Sequence, residues 1–309
     1  MKKIFIDGSV GTTGLRIHER LAGRDDVEII TLPEEKRKDS TARKAALNSC
    51  DVAFLCLPDP AAVEAVEMID NPEVTVIDAS TAHRTNEGWC YGFPELSCEI
   101  SGKLSNAKRI AVPGCHASGF ISLVYPLIEA GLLSKDAKLT CHSITGYSGG
   151  GKKMIAEYED ENRDFLLDAP RQYGITQQHK HLKEMAKITG LNNAPVFCPI
   201  VSDFYSGMMV TVPIFASDLK KGTIDDIKRI YENKYNGNIV KYIENADERG
   251  FISAHAKAKK DGMTVTVCGN EERIILVAVY DNLGKGASGA AVECLNYVLG
   301  VAPETGLEL

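Results

Sequence analysis

Cys115 is the residue in this sequence best suited to covalent chemistry. It lies in the segment VPGCHASG at 112–119, a pattern that predicts the end of a strand, a tight turn and the start of a helix. Backbone dipoles at the first turn of a helix favour an anion, so a thiolate there can form near neutral pH and attack a carbonyl. N–H groups of the same turn could stabilise the resulting oxyanion. The alternative is a buried structural cysteine after a Pro-Gly turn.

His181 and Glu184 are the candidates for acid–base chemistry. They are three residues apart at a predicted helix start, which places them on one face of that helix. A carboxylate one turn away can orient an imidazole and stabilise its protonated form. Two other interpretations remain. His179 and His181 could bind a metal, although no further ligands follow at a recognisable spacing, or the segment could be a solvated helix start.

A glycine-rich turn near the N terminus predicts a dinucleotide site. Glycine lets the backbone approach a pyrophosphate, and the N terminus of the following helix offers free N–H groups to that anion. The spacing is GxxGxxG rather than the commoner GxGxxG, and a purely structural turn is the alternative. The turn follows a predicted strand, and the candidate cofactor residues in it are Gly8, Ser9, Val10, Gly11, Thr12, Thr13 and Gly14.

The residues after the second predicted strand bear on the choice of cofactor. An acidic residue that closes this strand commonly holds the ribose hydroxyls of NAD. Here Ile30 is followed by TLP and then by EEKRK at 34–38. Lys36 and Arg37, within this basic triplet, could neutralise a 2′-phosphate, which favours NADP. A solvated loop, or NAD held by one of the glutamates, is the alternative.

Composition excludes several classes of partner. The 309-residue chain has a net charge of −7 and a pI of about 5.6, which argues against a nucleic-acid surface. No targeting segment is visible, and no run reaches the ~18 apolar residues of a membrane span. The nine cysteines are scattered without a CxxC pair, which disfavours a disulfide framework and a zinc site. We therefore expect a soluble, cytoplasmic protein without a nucleic-acid, membrane or metal partner.

The order of predicted elements indicates two domains. The first 110 residues alternate strands with helices, which predicts an α/β Rossmann-type domain with a parallel sheet. Its predicted strands are 3–6, 27–30, 51–57 and 75–78, and its predicted helices are 13–24, 41–48 and 60–70. After Cys115 the predicted strands often have one polar face, which favours an α+β domain with a mostly antiparallel sheet. The predicted strands there are 138–144, 207–215, 263–268 and 273–280, and the predicted helices are 116–130 (amphipathic), 181–188, 223–235 and 287–299.

The chain as a whole resembles a known family. It is similar over nearly its whole length to N-acetyl-γ-glutamyl-phosphate reductase in its shorter form, within the wider aspartate-semialdehyde dehydrogenase-like group. The segments that carry the resemblance are GSVGTTG at 8–14, YGFPEL at 91–96, PGCHASG at 113–119, SGGGKK at 148–153, HKHLKE at 179–184 and DNLGKGASG at 281–289. The resemblance implies an NADP-binding domain at 1–114 completed by the C-terminal helix 284–309, and a catalytic and oligomerisation domain at 115–283.

The resemblance also implies a reaction and further site residues. Cys115 would attack the acyl phosphate and form a thioester, which takes a hydride from NADPH and gives the semialdehyde and phosphate. His181 would shuttle the proton, oriented by Glu184. A homodimer or homotetramer is implied as well. The implied substrate-binding residues are Tyr173, His179, Ser148, Gly149 and Lys152, and Asn282 would contact the nicotinamide end of the cofactor.

Departures from the family and competing hypotheses remain. Longer relatives have an aromatic residue after the cysteine, where this chain has His116, so the role of His116 is open. Ser9-Val10 stands where many relatives have pairs of small residues. The main alternative is aspartate-semialdehyde dehydrogenase or a related acyl-phosphate reductase, which the HxHxxE segment and the short chain disfavour. A non-catalytic NADP-binding redox sensor and a cysteine hydrolase explain fewer of the motifs.

Overall fold

Thirteen strands and nine α-helices make up the structure, a computed structural model that describes residues 1–309. The strands are β1 (Lys2–Asp7), β2 (Val27–Ile30), β3 (Val52–Leu55), β4 (Thr75–Asp78), β5 (Cys90–Tyr91), β6 (Arg109–Ala111), β7 (Thr140–Gly146), β8 (Arg171–Gln172), β9 (Val196–Ser202), β10 (Met208–Phe215), β11 (Val240–Tyr242), β12 (Met263–Gly269) and β13 (Arg273–Tyr280). The helices are α1 (Thr12–Leu21), α2 (Ser40–Ser49), α3 (Asp59–Glu67), α4 (Cys98–Leu104), α5 (Cys115–Glu129), α6 (Gly151–Glu159), α7 (His181–Thr189), α8 (Ile224–Lys234) and α9 (Gly289–Leu299).

The chain divides into two units. The first comprises Met1–Pro113 and Ala287–Leu307, and the second comprises Gly114–Gly286 and Glu308–Leu309. Each unit contains one sheet, β1–β6 in the first and β7–β13 in the second. No helix is long and apolar enough to cross a membrane.

The sheet of the first unit is parallel throughout, with the strand order β2-β1-β3-β4-β6-β5. Successive residues of a strand point to opposite faces, and here both faces are buried. Val52 and Phe54 of β3 pack in a cluster with residues of α1 and α9. Ala53 and Leu55 pack on the other face with residues of α2 and α3. This arrangement confirms the predicted Rossmann-type fold and explains why β3 reads as a continuous apolar run.

The sheet of the second unit is mostly antiparallel and has the strand order β11-β12-β13-β10-β7-β9-β8. Only the β7–β9 and β11–β12 pairs are parallel. This confirms the predicted α+β class. In β10, Val210, Val212 and Ile214 are buried, whereas Pro213 and Phe215 are exposed. In this part of the sheet one face therefore packs inside the unit and the other is open, whereas both faces of β12 are buried over most of its length.

Helix α5 differs from its prediction. The sequence was expected to form an amphipathic helix over 116–130, but eleven of the fifteen residues of α5 are buried. It packs against β10, β13, α7 and α8. Because other elements surround α5, it has no need of a polar face towards solvent. Cys115 is consequently the first residue of the central helix of the second unit.

Other differences concern the ends of elements and several elements that were not predicted, which are β5, β8, β9, β11, α4 and α6. Helix α3 begins at Asp59, with Pro60 in the first turn, where a proline's missing N–H costs nothing. Helix α9 begins at Gly289 because a π-helical turn precedes it at Gly284–Ser288. Strand β9, which pairs with β7 from Thr140–Val196 to Gly146–Ser202, was not predicted. The strand contains Pro199, and because proline cannot donate to a ladder hydrogen bond, the sequence does not favour a strand there.

Candidate active site

Cys115 opens helix α5, as its sequence context predicts. Gly114 is the N-cap residue, with extended backbone angles (φ −73°, ψ 144°). Cys115 itself is partly exposed and forms no disulfide. At this first helical position the sulfur lies beside N–H groups that have no partner within the helix, and these favour a thiolate.

Glu184 holds the residue that precedes this cysteine. Its Oε1 accepts a hydrogen bond of 2.8 Å from the N–H of Gly114, and the side chain is 2% exposed. Glu184 belongs to α7, which packs against α5. The structure thus brings the HKHLKE and PGCHASG segments together, a contact that no spacing in the sequence could reveal.

Gly286 packs on the other side of Cys115. A Cβ built on Gly286 would lie 3.1 Å from the Cβ of Cys115, a tight contact, so glycine at this position keeps the cysteine uncrowded. The Gly286 N–H donates to the carbonyl of Asp281 at 3.1 Å. The glycine of DNLGKG therefore has a steric reason to be where it is.

Three histidine rings cluster beside Cys115. The ring centroid of His116 lies 5.5 Å from that of His181 and 5.8 Å from that of His179, and the last two rings are 4.7 Å apart. Phe197 of β9 packs against His116 and His179. The histidine predicted as the base is therefore a neighbour of the residue that follows the predicted nucleophile.

His116 is fixed in a neutral state. Its Nδ1 hydrogen-bonds to Ser143 Oγ at 2.7 Å and its Nε2 to Tyr173 Oη at 2.6 Å. Burial, with the nearby His179 as a second cause, lowers the pKa of His116 to about 3. Burial, followed by the charge of Cys115, raises the pKa of the Tyr173 phenol. Both groups stay uncharged near neutral pH, so His116 orients the Tyr173 hydroxyl rather than titrating.

His179 acts on the start of α7. Its Nδ1 accepts a hydrogen bond of 3.2 Å from the backbone N–H of His181. Burial is the main cause that lowers the pKa of His179, with the charge of Lys180 adding to it. Although three histidines meet here, no group of His, Cys, Asp or Glu side chains in the chain has the arrangement of a metal site.

The SGGGKK and DNLGKG segments also meet in the second unit. Ser148 lies in the 3₁₀ turn Tyr147–Gly150 after β7 and is buried. The amide of Asn282 donates to Ser148 Oγ at 3.0 Å and accepts from the Gly207 N–H at 2.9 Å. Gly149 lies beside the same amide, whereas Lys152 is exposed on α6. Both ends of the Asn282 amide thus have partners within the second unit.

The glycine turn of the first unit has the geometry of a backbone cradle. Gly8 has φ +86°, and a Cβ on it would lie 2.3 Å from the carbonyl oxygen of Cys56. A Cβ on Gly14 would lie 2.5 Å from the oxygen of Gly8. Gly11 is the N-cap of α1, and no side chain caps the helix. The first-turn N–H groups of α1 are therefore available to an anion, as a pyrophosphate requires.

A cavity of about 830 Å³ adjoins this turn. Arg37 and Lys38 line it, whereas Lys36, which was predicted to bind the cofactor, does not. Arg43 also lines the cavity and forms a buried ion pair with Asp7 at 2.9 Å. Sequence reasoning missed Arg43 because it lies inside a helix, away from the basic triplet. The cradle, the cavity and its cations fit a phosphorylated dinucleotide.

Comparisons with known proteins agree with these features. The chain matches the models "Semialdehyde dehydrogenase, NAD binding domain" over residues 3–102 and "Semialdehyde dehydrogenase, dimerisation domain" over residues 115–282. It is 44% identical over 305 residues to N-acetyl-γ-glutamyl-phosphate reductase of Sinorhizobium medicae, covering 96% of this chain and 98% of that protein. An N-acetyl-γ-glutamyl-phosphate reductase 2 of a Nostoc species is 42% identical over 320 residues, covering 99% of each. The chain belongs to the N-acetyl-γ-glutamyl-phosphate reductase family.

The fold of this chain is also similar to that of solved structures with lower sequence identity. It resembles aspartate semialdehyde dehydrogenase II from Vibrio cholerae with a TM-score of 0.72 at 18% identity, covering 97% of this chain and 99% of that one. The aspartate semialdehyde dehydrogenase with NADP from Candida albicans has a TM-score of 0.65 at 14% identity, with coverage of 97% and 99%. At these identities the likeness establishes the shared fold.

Several residues of this reductase site have no strong signal in the sequence. Ser143 and Phe197 are ordinary strand residues that reach the histidine cluster only through the β7–β9 pairing. Tyr280 ends β13, and its hydroxyl reaches the start of α5. Its position directly before the DNLGKG segment was the one available hint.

Proposed function

We propose that the protein reduces N-acetyl-γ-glutamyl phosphate to N-acetyl-L-glutamate 5-semialdehyde with release of phosphate, as a step of arginine biosynthesis, and that it uses NADPH. The observation that carries the proposal is Cys115 at the N terminus of α5, held through Gly114 by Glu184, with His181 packed against the next residue, His116. The named relatives, similar over nearly the whole chain, support the choice of substrate.

Cys115 supplies the covalent step. Its thiolate attacks the acyl carbon, the new C–S bond forms, and the C–O bond to phosphate breaks with its electron pair on the departing phosphate. NADPH, when bound, supplies the hydride that reduces the acyl carbon. The C–S bond then breaks, which restores the Cys115 thiolate and releases the aldehyde. The first-turn N–H groups of α5 stabilise both the thiolate and the oxyanions on the acyl carbon.

His181 transfers the proton, and Glu184 positions the groups around it. His181 donates a proton to the oxygen on which negative charge develops, and it takes the proton back as the aldehyde forms. Glu184 stabilises the protonated imidazole of His181, and its hydrogen bond from Gly114 supports a second role in fixing the cysteine turn. One carboxylate thereby serves both the acid–base group and the nucleophile.

Substrate contacts come from the loops around this cluster. We assign them to Tyr173, whose hydroxyl is oriented by His116, and to His179 at the start of α7. The Ser148–Gly149 turn, fixed by Asn282, and Lys152 bind the phosphate or the substrate carboxylate. Asn282 acts through Ser148, and its contact with the nicotinamide end stays a prediction.

NADP is the cofactor that the first unit favours. The turn Gly8–Gly14, with Ser9, Val10, Thr12 and Thr13, binds the pyrophosphate through backbone N–H groups. Arg37 and Lys38 lie on the cavity wall where a 2′-phosphate needs cations, so Lys38 takes the role first predicted for Lys36. A cysteine nucleophile must stay reduced to act, which supports a cytoplasmic location.

The test is a comparison of substrates and cofactors. We expect phosphate-dependent reduction of NADP with N-acetyl-L-glutamate 5-semialdehyde to exceed that with aspartate semialdehyde by at least ~100-fold in kcat/KM, because the buried polar groups of a substrate site reject a partner that leaves them unpaired. NADP should be preferred to NAD. A preference for aspartate semialdehyde would overturn the choice of substrate, and equal rates with both cofactors would overturn the role of Arg37 and Lys38.

The open sheet face of the second unit supports a homodimer. Ile144, Met209 and Ile200 occupy opposite positions on β7, β10 and β9, and Pro213 lies opposite Ile275 of β13. Phe215 and Ile275 are 60% and 40% exposed. Thr211 and His142 also lie on this face, opposite each other. An exposed face with several large apolar side chains is typical of an interface between copies of a chain.

We expect the protein to elute as a dimer, at twice its mass of 33.6 kDa, in size-exclusion chromatography with light scattering. Phe215→Arg should shift it towards the monomer, because a charge on the apolar face cannot be buried without a partner. Phe251→Arg, a substitution at a still more exposed phenylalanine (78% exposed) outside the strands of that face, is the control and should not. A monomeric wild-type chain would contradict the proposal, and a tetramer would require a second interface.

A further inference from the structure

The hydroxyl of Tyr280 occupies a hydrogen-bond position inside the first turn of α5. It donates to the carbonyl of Cys115 at 2.5 Å and accepts from the N–H of Gly119 at 3.0 Å. In a regular α-helix the N–H of residue 119 would donate to the carbonyl of residue 115. The phenol therefore gives both groups of this helical position a second hydrogen-bond partner.

The direction of both hydrogen bonds is unambiguous. A carbonyl can only accept and a backbone N–H can only donate, so the phenol must give its proton to Cys115 and use its oxygen for Gly119. Burial, with the charge of Cys115 as a further cause, raises the pKa of Tyr280 well above its usual range, so the phenol keeps that proton.

Gly119 allows the Tyr280 hydroxyl to come this close to α5. A Cβ on Gly119 would lie 2.7 Å from Tyr280 Oη and 2.5 Å from Val210 Cγ2, closer than non-bonded atoms approach. The glycine of PGCHASG thus leaves the space into which the phenol reaches. Helix interiors disfavour glycine by about 1 kcal/mol relative to alanine. The space that the Tyr280 phenol needs explains why glycine stands at position 119.

The chain behind Tyr280 is held rigidly. The next residue, Asp281, is fully buried, and its carboxylate accepts from Ser206 Oγ at 2.7 Å and from the N–H groups of Leu283 and Gly284 at 2.7 and 2.9 Å. The same turn carries Gly286 against Cys115. A phenol anchored in this way can set the position of the helix turn that it touches.

We propose that Tyr280 is a positioning residue for Cys115: by hydrogen-bonding the cysteine carbonyl, it fixes the first turn of α5 in the form that presents and activates the thiolate. The inference rests on the proposed role of Cys115 as the nucleophile. A donor on that carbonyl polarises the peptide bond between Cys115 and His116, which strengthens the His116 N–H as a partner for the thiolate. Without the phenol, the Cys115 carbonyl would keep only its helical partner and this polarisation would be lost.

The test compares Tyr280→Phe with Tyr235→Phe. Tyr235 is a matched control, because it is equally buried and its hydroxyl donates to a carbonyl of the same helix, that of Ser122, at 2.6 Å. For each variant we would measure kcat, KM and thermal stability. We would also measure the rate of alkylation of Cys115 by iodoacetamide against pH, by peptide mass spectrometry, with the exposed Cys98 as the internal reference.

In Tyr280→Phe we expect kcat to fall roughly tenfold with KM within about twofold. Alkylation of Cys115 should slow at neutral pH, with its midpoint moved to higher pH, while Cys98 is unaffected. Tyr280→Phe should fold, since the helical bond from Gly119 to Cys115 does not need the hydroxyl. Tyr235→Phe should lose stability but leave kcat and Cys115 alkylation within about twofold of wild type.

Equal slowing in both variants would mean that any loosening of α5 has this effect, and would overturn the inference. Unchanged alkylation and kcat in Tyr280→Phe would overturn it as well. Alkylation needs no substrate, so it tests Tyr280 even if the enzyme proves to act on another acyl phosphate. Failure of the proposed substrate in the wild-type assay is therefore a separate result.

Discussion

Replacing Cys115 by serine should reduce turnover to no more than about a thousandth of the wild-type rate while NADP binding is retained. The side chain sits at the first position of α5, where a helix N terminus favours an anion by up to ~2 kcal/mol. That is enough to help ionise a thiol but not a serine hydroxyl. The variant would lack the nucleophile with almost no change in shape.

Steady-state rates and NADP titration by calorimetry measure the two parts of this prediction. Cys98→Ser is a matched control, because Cys98 is also the first residue of a helix, α4, and forms no disulfide. We expect Cys98→Ser to keep wild-type turnover. Wild-type protein quenched during turnover with the acyl phosphate should carry a substrate-sized mass on Cys115. If Cys115→Ser still turned over at an appreciable rate, the covalent mechanism would be wrong.

Much of the fold follows from local sequence signals. Both β3 and β4 are short apolar runs between turn residues, and the structure buries them completely. The glycine turn is predictable because Gly8 must adopt a positive φ directly after a strand. Elements whose evidence lies elsewhere in the chain were missed. Strand β9 contains Pro199, and its place beside β7 depends on a pairing across more than fifty residues.

The candidate site divides in the same way. Cys115 and His181 were predicted from the chemistry of their immediate neighbours. The meeting of their two segments was not, because it depends on the packing of α5 against α7. Glu184 was chosen for its spacing from His181, yet the structure adds a hydrogen bond to Gly114, seventy residues away in sequence. A local pattern can indicate a residue's chemistry, but its partner follows from tertiary packing.

Glu184 is the residue whose substitution should have the next largest effect. In Glu184→Ala we expect kcat to fall by about 100-fold, because the variant loses the acceptor of the Gly114 N–H and a buried charge beside the histidine cluster. A buried donor left without its partner costs about 1–3 kcal/mol, which would let the cysteine turn relax. Lys183→Ala, on the exposed side of α7, is the control and should be near wild type.

Glu184→Gln separates the two roles proposed for this carboxylate. The amide oxygen can still accept from Gly114, but the charge that stabilises a protonated His181 is gone. We therefore expect Cys115 alkylation by iodoacetamide to stay near wild type in Glu184→Gln and to slow in Glu184→Ala. We expect kcat to fall in both, by roughly tenfold in the glutamine variant. If alkylation slowed equally in both, the charge would act on Cys115 directly. If kcat in the glutamine variant matched wild type, Glu184 would serve only to hold Gly114, and its proposed support of His181 would be wrong.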